Sequence, residues 1–184
     1  GDGTIHKTTD NGIHWGAQTS PTTDTLNSVY FIDANLGYVC TSNDIYKTSD
    51  GGSNWFAEEL PPTGHLSDIK FIVENNTTVG FAVGDNILRN SLEYFPGEPI
   101  GNSGSYPGWV QVNSGTTGAI SGVDYINPFV AFAVGVDLGS SETGMILRTI
   151  NGGQTWTRQQ SNITSLAGLN DVSFADVNTG LAVG

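Results

Sequence analysis

The sequence predicts an all-β protein, a β-propeller assembled from four-stranded antiparallel blades. Three observations predict it. All four tryptophans, Trp15, Trp55, Trp109 and Trp156, hold the same place in copies of one motif, at separations of 40, 54 and 47 residues. A second, strand-like block recurs between them. Glycine occurs 25 times, often beside Asn, Asp or Ser, and no helical period is sustained along the chain. A period of about 40 residues, with short apolar blocks and glycine-rich turns, is the signature of stacked blades.

The elements follow in order. The first strand of each repeat reads LNSVYF (26–31), LSDIKF (66–71), ISGVDY (120–125) and LNDVSF (169–174). The shared pattern is apolar, polar, small or acidic, β-branched, variable, aromatic. The second strand reads GYVC (37–40), GFAV (80–83), AFAV (131–134) and GLAV (180–183). The third opens on Ile5, Ile45, Ile87 or Ile146, and the fourth follows the tryptophan. In the best-preserved copy this places strands at about 26–31, 36–41, 44–48 and 55–59. Blades stack radially and bury both faces, which explains why the strands do not alternate cleanly between apolar and polar.

This register divides the 184 residues into a half-blade at 1–20, blades at about 25–60, 66–113 and 119–161, and a half-blade at 166–184. The chain opens on a third strand and finishes after a second, and both half-blades would expose strand edges, a liability in water. The expectation is that the propeller continues beyond both ends. The alternative is closure, with 169–174 and 180–183 pairing with 3–8 and 15–19.

The loop between third and fourth strands carries Thr48, Asp50, Gly52 and Trp55, matched by Thr8, Asp10, Gly12 and Trp15, and by Thr149, Asn151, Gly153 and Trp156. A short acidic or amide side chain accepts hydrogen bonds from the amides of its own turn. Glycine supplies the positive φ such a turn needs. A catalytic acid is normally unique, whereas this one recurs in each blade. The expected role of Asp50 is therefore structural, with the tryptophan packed under the turn.

These residues resemble the Asp-box, or bacterial neuraminidase, repeat. The longer pattern, Ile-x-Lys/Arg-Thr-x-Asp-Gly-Gly-x-x-Trp followed by Val-x-Phe and Gly-x-Ala-Val-Gly, is similar to the propellers of photosystem II assembly and stability factors. The resemblance covers essentially the whole chain. It implies a propeller with structural Asp-boxes and a basic patch that receives a partner protein. It also implies an extracellular, cell-surface or periplasmic setting, since related repeats occur in many secreted bacterial proteins. Function is not implied by the fold, because such repeats serve binding and catalysis alike.

Acids outnumber bases 18 to 6, a net charge of −12. Such a surface repels nucleic acid and anionic membranes. No apolar run approaches the length of roughly 18 residues that would span a bilayer as a helix. Cys40 is the single cysteine, which excludes an intrachain disulfide and a cysteine-based metal site. Its place after an apolar strand marks it as a core residue. His6, His14 and His65 lack metal-ligand spacing, so neither a metal nor another cofactor is expected.

Four of the six basic residues, Lys7, Lys47, Arg89 and Arg148, share one repeat position, two residues after the third-strand isoleucine. In a radial array one repeated position makes an arc of like charge able to grip an acidic peptide. The competing reading is that each aliphatic stem covers its blade's tryptophan or pairs with a nearby acid. Residues 90–108 replace the third Asp-box with a longer loop, and 136–143 lengthen another. Tyr94, Phe95 and Tyr106 on the first of these are candidate contacts for a partner. For an enzyme the materials are thin. A sialidase needs an arginine triad, and two of the three arginines belong to the repeat. Asp68, Asp124 and Asp171 lie on innermost strands, but nothing in the sequence pairs them as a glycosidase requires. The function expected is a non-catalytic binding or scaffold module for a protein or peptide. The alternative is a fragment of a secreted glycan-processing enzyme, sialidase-like or xyloglucanase-like.

Overall fold

The computed structural model describes residues 3–75, 77–91, 108–137, 144–160 and 168–184. Its described residues form sixteen strands and no helix. The first complete blade is β3 (Ser28–Phe31), β4 (Gly37–Cys40), β5 (Ile45–Thr48) and β6 (Phe56–Ala57). The second is β7 (Leu66–Glu74), β8 (Thr77–Gly84), β9 (Ile87–Ser91) and β10 (Val110–Val112). The third is β11 (Ala119–Asn127), β12 (Val130–Val136), β13 (Gly144–Thr149) and β14 (Thr157–Arg158). Each is a four-stranded antiparallel sheet in chain order. This is the architecture the sequence repeats predict, a partial β-propeller. The strands expected at 26–31, 36–41, 44–48 and 55–59 are all present, the last shortened to two residues.

Two hairpins flank the blades: β1 (Ile5–Lys7) with β2 (Gly16–Gln18), and β15 (Asp171–Phe174) with β16 (Gly180–Val183). They remain two separate two-stranded sheets. The pairing of 180–183 with 3–8 considered above does not form within the chain.

The core lies between blades. One slab joins the first and second blades and contains Tyr38, Ile45, Leu66, Phe71, Leu88 and Trp109. The next joins the second and third, with Phe81, Ile87, Ile120, Met145, Leu147 and Trp156. A third joins the third blade to the C-terminal hairpin through Val134, Leu169 and Val172. Every residue of β4 is buried, because each of its faces meets a neighbouring layer.

One ring series runs through these slabs. The second-strand aromatic of each blade stacks on the first-strand aromatic of the next. Tyr38 lies 4.5 Å from Phe71, Phe81 lies 5.2 Å from Tyr125, and Phe132 lies 4.3 Å from Phe174. The following blade's tryptophan then closes edge-on, Trp109 against Tyr38 at 6.1 Å and Trp156 against Phe81 at 5.2 Å. Stacked and edge-on pairs at such separations are favourable beyond their buried area.

The glycine that opens the second strand is required by the same rings. A Cβ on Gly80 would stand 2.3 Å from the Phe71 ring, and one on Gly37 would stand 2.7 Å from Phe31. Phe71 has no room to retreat, since Tyr38 and Trp109 flank it. Gly80→Ala is therefore expected to destabilise the protein by about 1–3 kcal/mol, through forced displacement of the ring. Equilibrium denaturation checks this, and an unchanged midpoint would show that the ring can move freely.

Candidate functional site

The loops between third and fourth strands carry the repeated aspartate whose expected role is structural. In the first complete blade Thr48 Oγ1 accepts the amide of Gly52 at 2.9 Å and donates to Asp50 Oδ1 at 2.9 Å. Asp50 Oδ1 then accepts the Asn54 amide at 2.8 Å, while Oδ2 accepts Asn54 Nδ2 at 2.7 Å. Thr8, Asp10, Gly12 and His14 repeat the backbone bonds, and His14 Nδ1 lies 2.6 Å from Asp10 Oδ2. Thr149, Asn151, Gly153 and Thr155 repeat them with an amide in place of the carboxylate. Two consecutive left-handed residues turn each loop: Asn11 and Gly12, Gly51 and Gly52, Gly152 and Gly153. Both Asp50 oxygens serve the loop itself. The bonds from Asn54, side chain first and amide second, hold its carboxyl down at about 2.

Two of the three first-strand aspartates are engaged between blades. Asp68 Oδ1 accepts Ser28 Oγ of the preceding blade at 2.7 Å, and Oδ2 accepts the Val123 amide of the following blade at 3.3 Å. Asp124 Oδ2 accepts the Phe174 amide at 2.7 Å, with Lys70 Nζ 3.6 Å from its other oxygen. Asp171 accepts the adjacent Val172 amide at 2.8 Å. Sequence reasoning offered no pairing for these residues. The inter-blade partners of Asp68 and Asp124 lie about 40 to 55 positions away.

Cys40 is fully buried, and burial pushes its thiol up to about 12, with the Asp68 charge adding to the effect. No group of three or more His, Cys, Asp or Glu side chains able to hold a metal occurs among the described residues. Each arginine has its own engagement. Arg89 is buried, Arg148 lies over Phe132, and Arg158 pairs with Asp137.

The structure places the four repeat-position cations on third strands, as expected, but divides them. Lys7 Nζ donates to the Gly51 carbonyl at 2.7 Å, in the diglycine turn of the next blade. Arg89 is 1% exposed and runs along the corresponding turn of the third blade. Its stem is 3.3 Å from where a Cβ on Gly153 would stand, and its guanidinium is 3.6 Å from that of Gly152. Burial lowers its pKa, with Tyr125 close enough to oppose the shift.

Lys47 and Arg148 differ. Lys47 Nζ rests 5.7 Å from the Tyr38 ring centroid, half-buried. It also lies near Glu58, whose carboxyl is raised by burial and pulled back by the lysine charge. The Arg148 guanidinium sits 5.8 Å from the Phe132 ring centroid on an exposed side chain. Tyr94, Phe95 and Tyr106 lie outside the described residues, as do most of 90–108 and 136–143. Sequence reasoning missed the hollow beside β1. It has a volume of ≈ 540 Å³ and is walled by Lys7, Trp15, Val29, Phe31 and Trp55 among others. Its only sequence signal was the incomplete first repeat.

No protein-family model matches the chain, and no match emerges among curated proteins. Solved structures do resemble it. YCF48 from Cyanidioschyzon merolae is 18% identical, with a TM-score of 0.66 over 98% of this chain and 60% of that one. This chain thus spans 60% of the length of that relative. The computationally designed Ika4 protein is 10% identical, with a TM-score of 0.57 over 90% of this chain and 89% of that one. A YCF48 bound to D1 peptide aligns at 16% identity over 98% of this chain and 69% of that one, with a TM-score of 0.41. At these identities the first two likenesses show the fold alone, and the third is too loose to add to them.

Asp50 yields a prediction with a definite sign. Its folded pKa lies below the ordinary value of 3.8, so it contributes stability above that value. The contribution fades as pH falls toward about 2. Asp50→Asn should abolish this part of the acid dependence while keeping the loop, as Asn151 does. Asp50→Ala should lower the melting temperature at neutral pH by roughly 2–6 °C, because the turn amides lose their acceptor. Thermal melts of the three proteins between pH 2 and pH 7 test it. An alanine variant of unchanged stability that loses a binding activity would assign Asp50 to a ligand instead.

Proposed function

We propose that this chain is a non-catalytic propeller module that binds a protein or peptide bearing acidic side chains. Lys47 and Arg148 are its cationic contacts. The observation that supports this is the division of the cation series. Lys7 and Arg89 are committed to the diglycine turn of the following blade. Lys47 and Arg148 instead lie over aromatic faces with part of the side chain open to solvent. A cation held by a ring keeps its hydrogen-bond donors available, and its position is set before any partner arrives.

On a chain of net charge −12, two such groups at one repeat position mark where a carboxylate-bearing partner meets least repulsion. The segment with Tyr94, Phe95 and Tyr106 follows β9, in the blade between those of Lys47 and Arg148. An extracellular, cell-surface or periplasmic setting goes with this reading. The glycan-processing alternative gains nothing from the carboxylates, which bond to neighbouring backbone and side-chain groups.

The test uses a panel of fluorescent acidic peptides, titrated at several salt concentrations. The reading expects binding that weakens with salt. The double variant Lys47→Met, Arg148→Met keeps both aliphatic stems on their rings. It should weaken binding by about tenfold or more, an effect of about 1.4 kcal/mol, with a flatter salt dependence. Unchanged affinity in a variant of normal melting temperature would sink the proposal.

A further inference from the structure

Lys47 and Arg148 differ in one neighbour. Tyr38, Lys47 and Phe56 lie opposite one another on β4, β5 and β6, in a row across the first complete blade. Past Phe56, the Glu58 amide donates to the Ile45 carbonyl at 2.9 Å. This continues the β5–β6 register and sets Glu58 opposite Ile45. Side chains two apart on a strand share a face, so Glu58 and Phe56 lie on the face of Lys47. Glu58 is then the diagonal neighbour of Lys47, a spacing that long side chains span.

The third blade repeats the arrangement with one change. Phe132, Arg148 and Thr157 form the row, and the Gln159 amide donates to the Ile146 carbonyl at 2.8 Å. Gln159 thus stands beside Arg148 as Glu58 stands beside Lys47. The same place holds Val112, opposite Ile87, in the second blade, and Gln18, opposite Ile5, in the N-terminal hairpin. Of these four residues only Glu58 is acidic.

We propose that Glu58 determines specificity at the binding surface: its carboxylate competes with an acidic partner for Lys47. The assignment rests on Lys47 and Arg148 being the cationic contacts. It makes the two contacts unequal. Arg148 meets a partner's carboxylate beside a neutral amide. Lys47 meets it beside an anion, and a repulsive group next to an attractive one is a means of rejecting weak partners.

The charge of Glu58 is not there for the fold, which accepts glutamine at the equivalent places. Glu58 is half-buried at the rim of the slab that holds Tyr38 and Ile45. Burial raises its carboxyl above the ordinary value of 4.5, and the Lys47 charge pulls it back. Among the described residues the titratable groups coupled to it are Lys47 on β5 and Tyr38 on β4, whose hydroxyl is raised by burial and further by the Glu58 charge. As pH falls, Glu58 is therefore neutralised before an ordinary glutamate is, and Lys47 loses its competitor.

The experiment titrates a fluorescein-labelled oligo-aspartate peptide into the 184-residue chain and its variants at constant ionic strength. At neutral pH Glu58→Gln should bind about two- to fivefold more tightly, the scale of one partly exposed ion pair. Glu59→Gln removes the same charge from the adjacent exposed position and should change affinity less. With Lys47→Met in place, Glu58→Gln should lose most of its effect. Gln159→Glu should weaken binding, because Arg148 then gains a competitor. As pH falls through the carboxylate range, the affinities of the natural chain and Glu58→Gln should converge, and their ratio cancels the peptide's own titration. Melting temperatures confirm that each variant is folded. Equal affinity of the natural chain and Glu58→Gln, with Lys47→Met still weakening binding, would overturn the role of Glu58 and leave the binding module standing. A gain from Glu58→Gln that persists with Lys47→Met would also overturn it, since general repulsion would then explain the gain. No binding by any of these proteins would remove the binding module and this role together.

Discussion

The aromatic stack between neighbouring blades is the interaction on which the rest of the structure depends. A propeller blade is a small sheet with two apolar faces, and by itself it can bury neither. The rings solve this by reaching across. Tyr38 on Phe71, Phe81 on Tyr125 and Phe132 on Phe174 each join a second strand to the first strand of the next sheet. Several other features follow from that contact. Glycine faces the first-strand ring at Gly37, Gly80 and Gly180, with Ala131 in that place opposite Tyr125. The tryptophan meets the pair edge-on, Trp156 after its diglycine turn and Trp109 after the longer 90–108 segment. The third-strand cation lies over the ring, as Lys47 and Arg148 do, or continues into the next diglycine turn, as Arg89 does.

The same constraint organises the polar groups. Among the described residues no strand ladder joins one blade to the next; backbone bonds such as Leu66 N–H to the Ser42 carbonyl at 2.8 Å cross the gap, and side chains add further links. Asp68 reaches the preceding blade through Ser28 and the following one through the Val123 amide. Asp124 accepts the Phe174 amide, and Lys7 donates to the Gly51 carbonyl. Groups that resemble catalytic material in the sequence therefore serve as links between sheets.

Much of this was legible in the sequence. Repetition shows which residues are equivalent, and equivalence is enough to place the strands, the tryptophans and the threonine–aspartate turns. The structural role of Asp50 could be argued from its recurrence alone, and Asn151 shows that the turn needs an acceptor more than a charge. What repetition does not show is which neighbour a side chain meets. Lys7, Lys47, Arg89 and Arg148 are identical by position, yet one is bonded to a carbonyl, one is buried, and two lie on rings. For two of them the partner is the following blade's diglycine turn, some 40 or more residues on: Lys7 meets Gly51, and Arg89 meets Gly152 and Gly153. The partners of Asp68 were hidden for the same reason. The hollow beside β1 was hidden too, because its walls come from the N-terminal hairpin and the first complete blade together.

The most direct test of the central claim is a double-mutant cycle on one ring pair, away from both open ends. Tyr38→Leu, Phe71→Leu and the double variant would each be unfolded in denaturant, with the coupling energy taken from the four stabilities. If the inter-blade stack holds the sheets together, Tyr38 and Phe71 should couple by about 0.5–1.5 kcal/mol, with the unfolding transition still single. A coupling of zero, with each leucine costing only its lost area, would mean that the blades adhere by general burial and that the ring series is incidental.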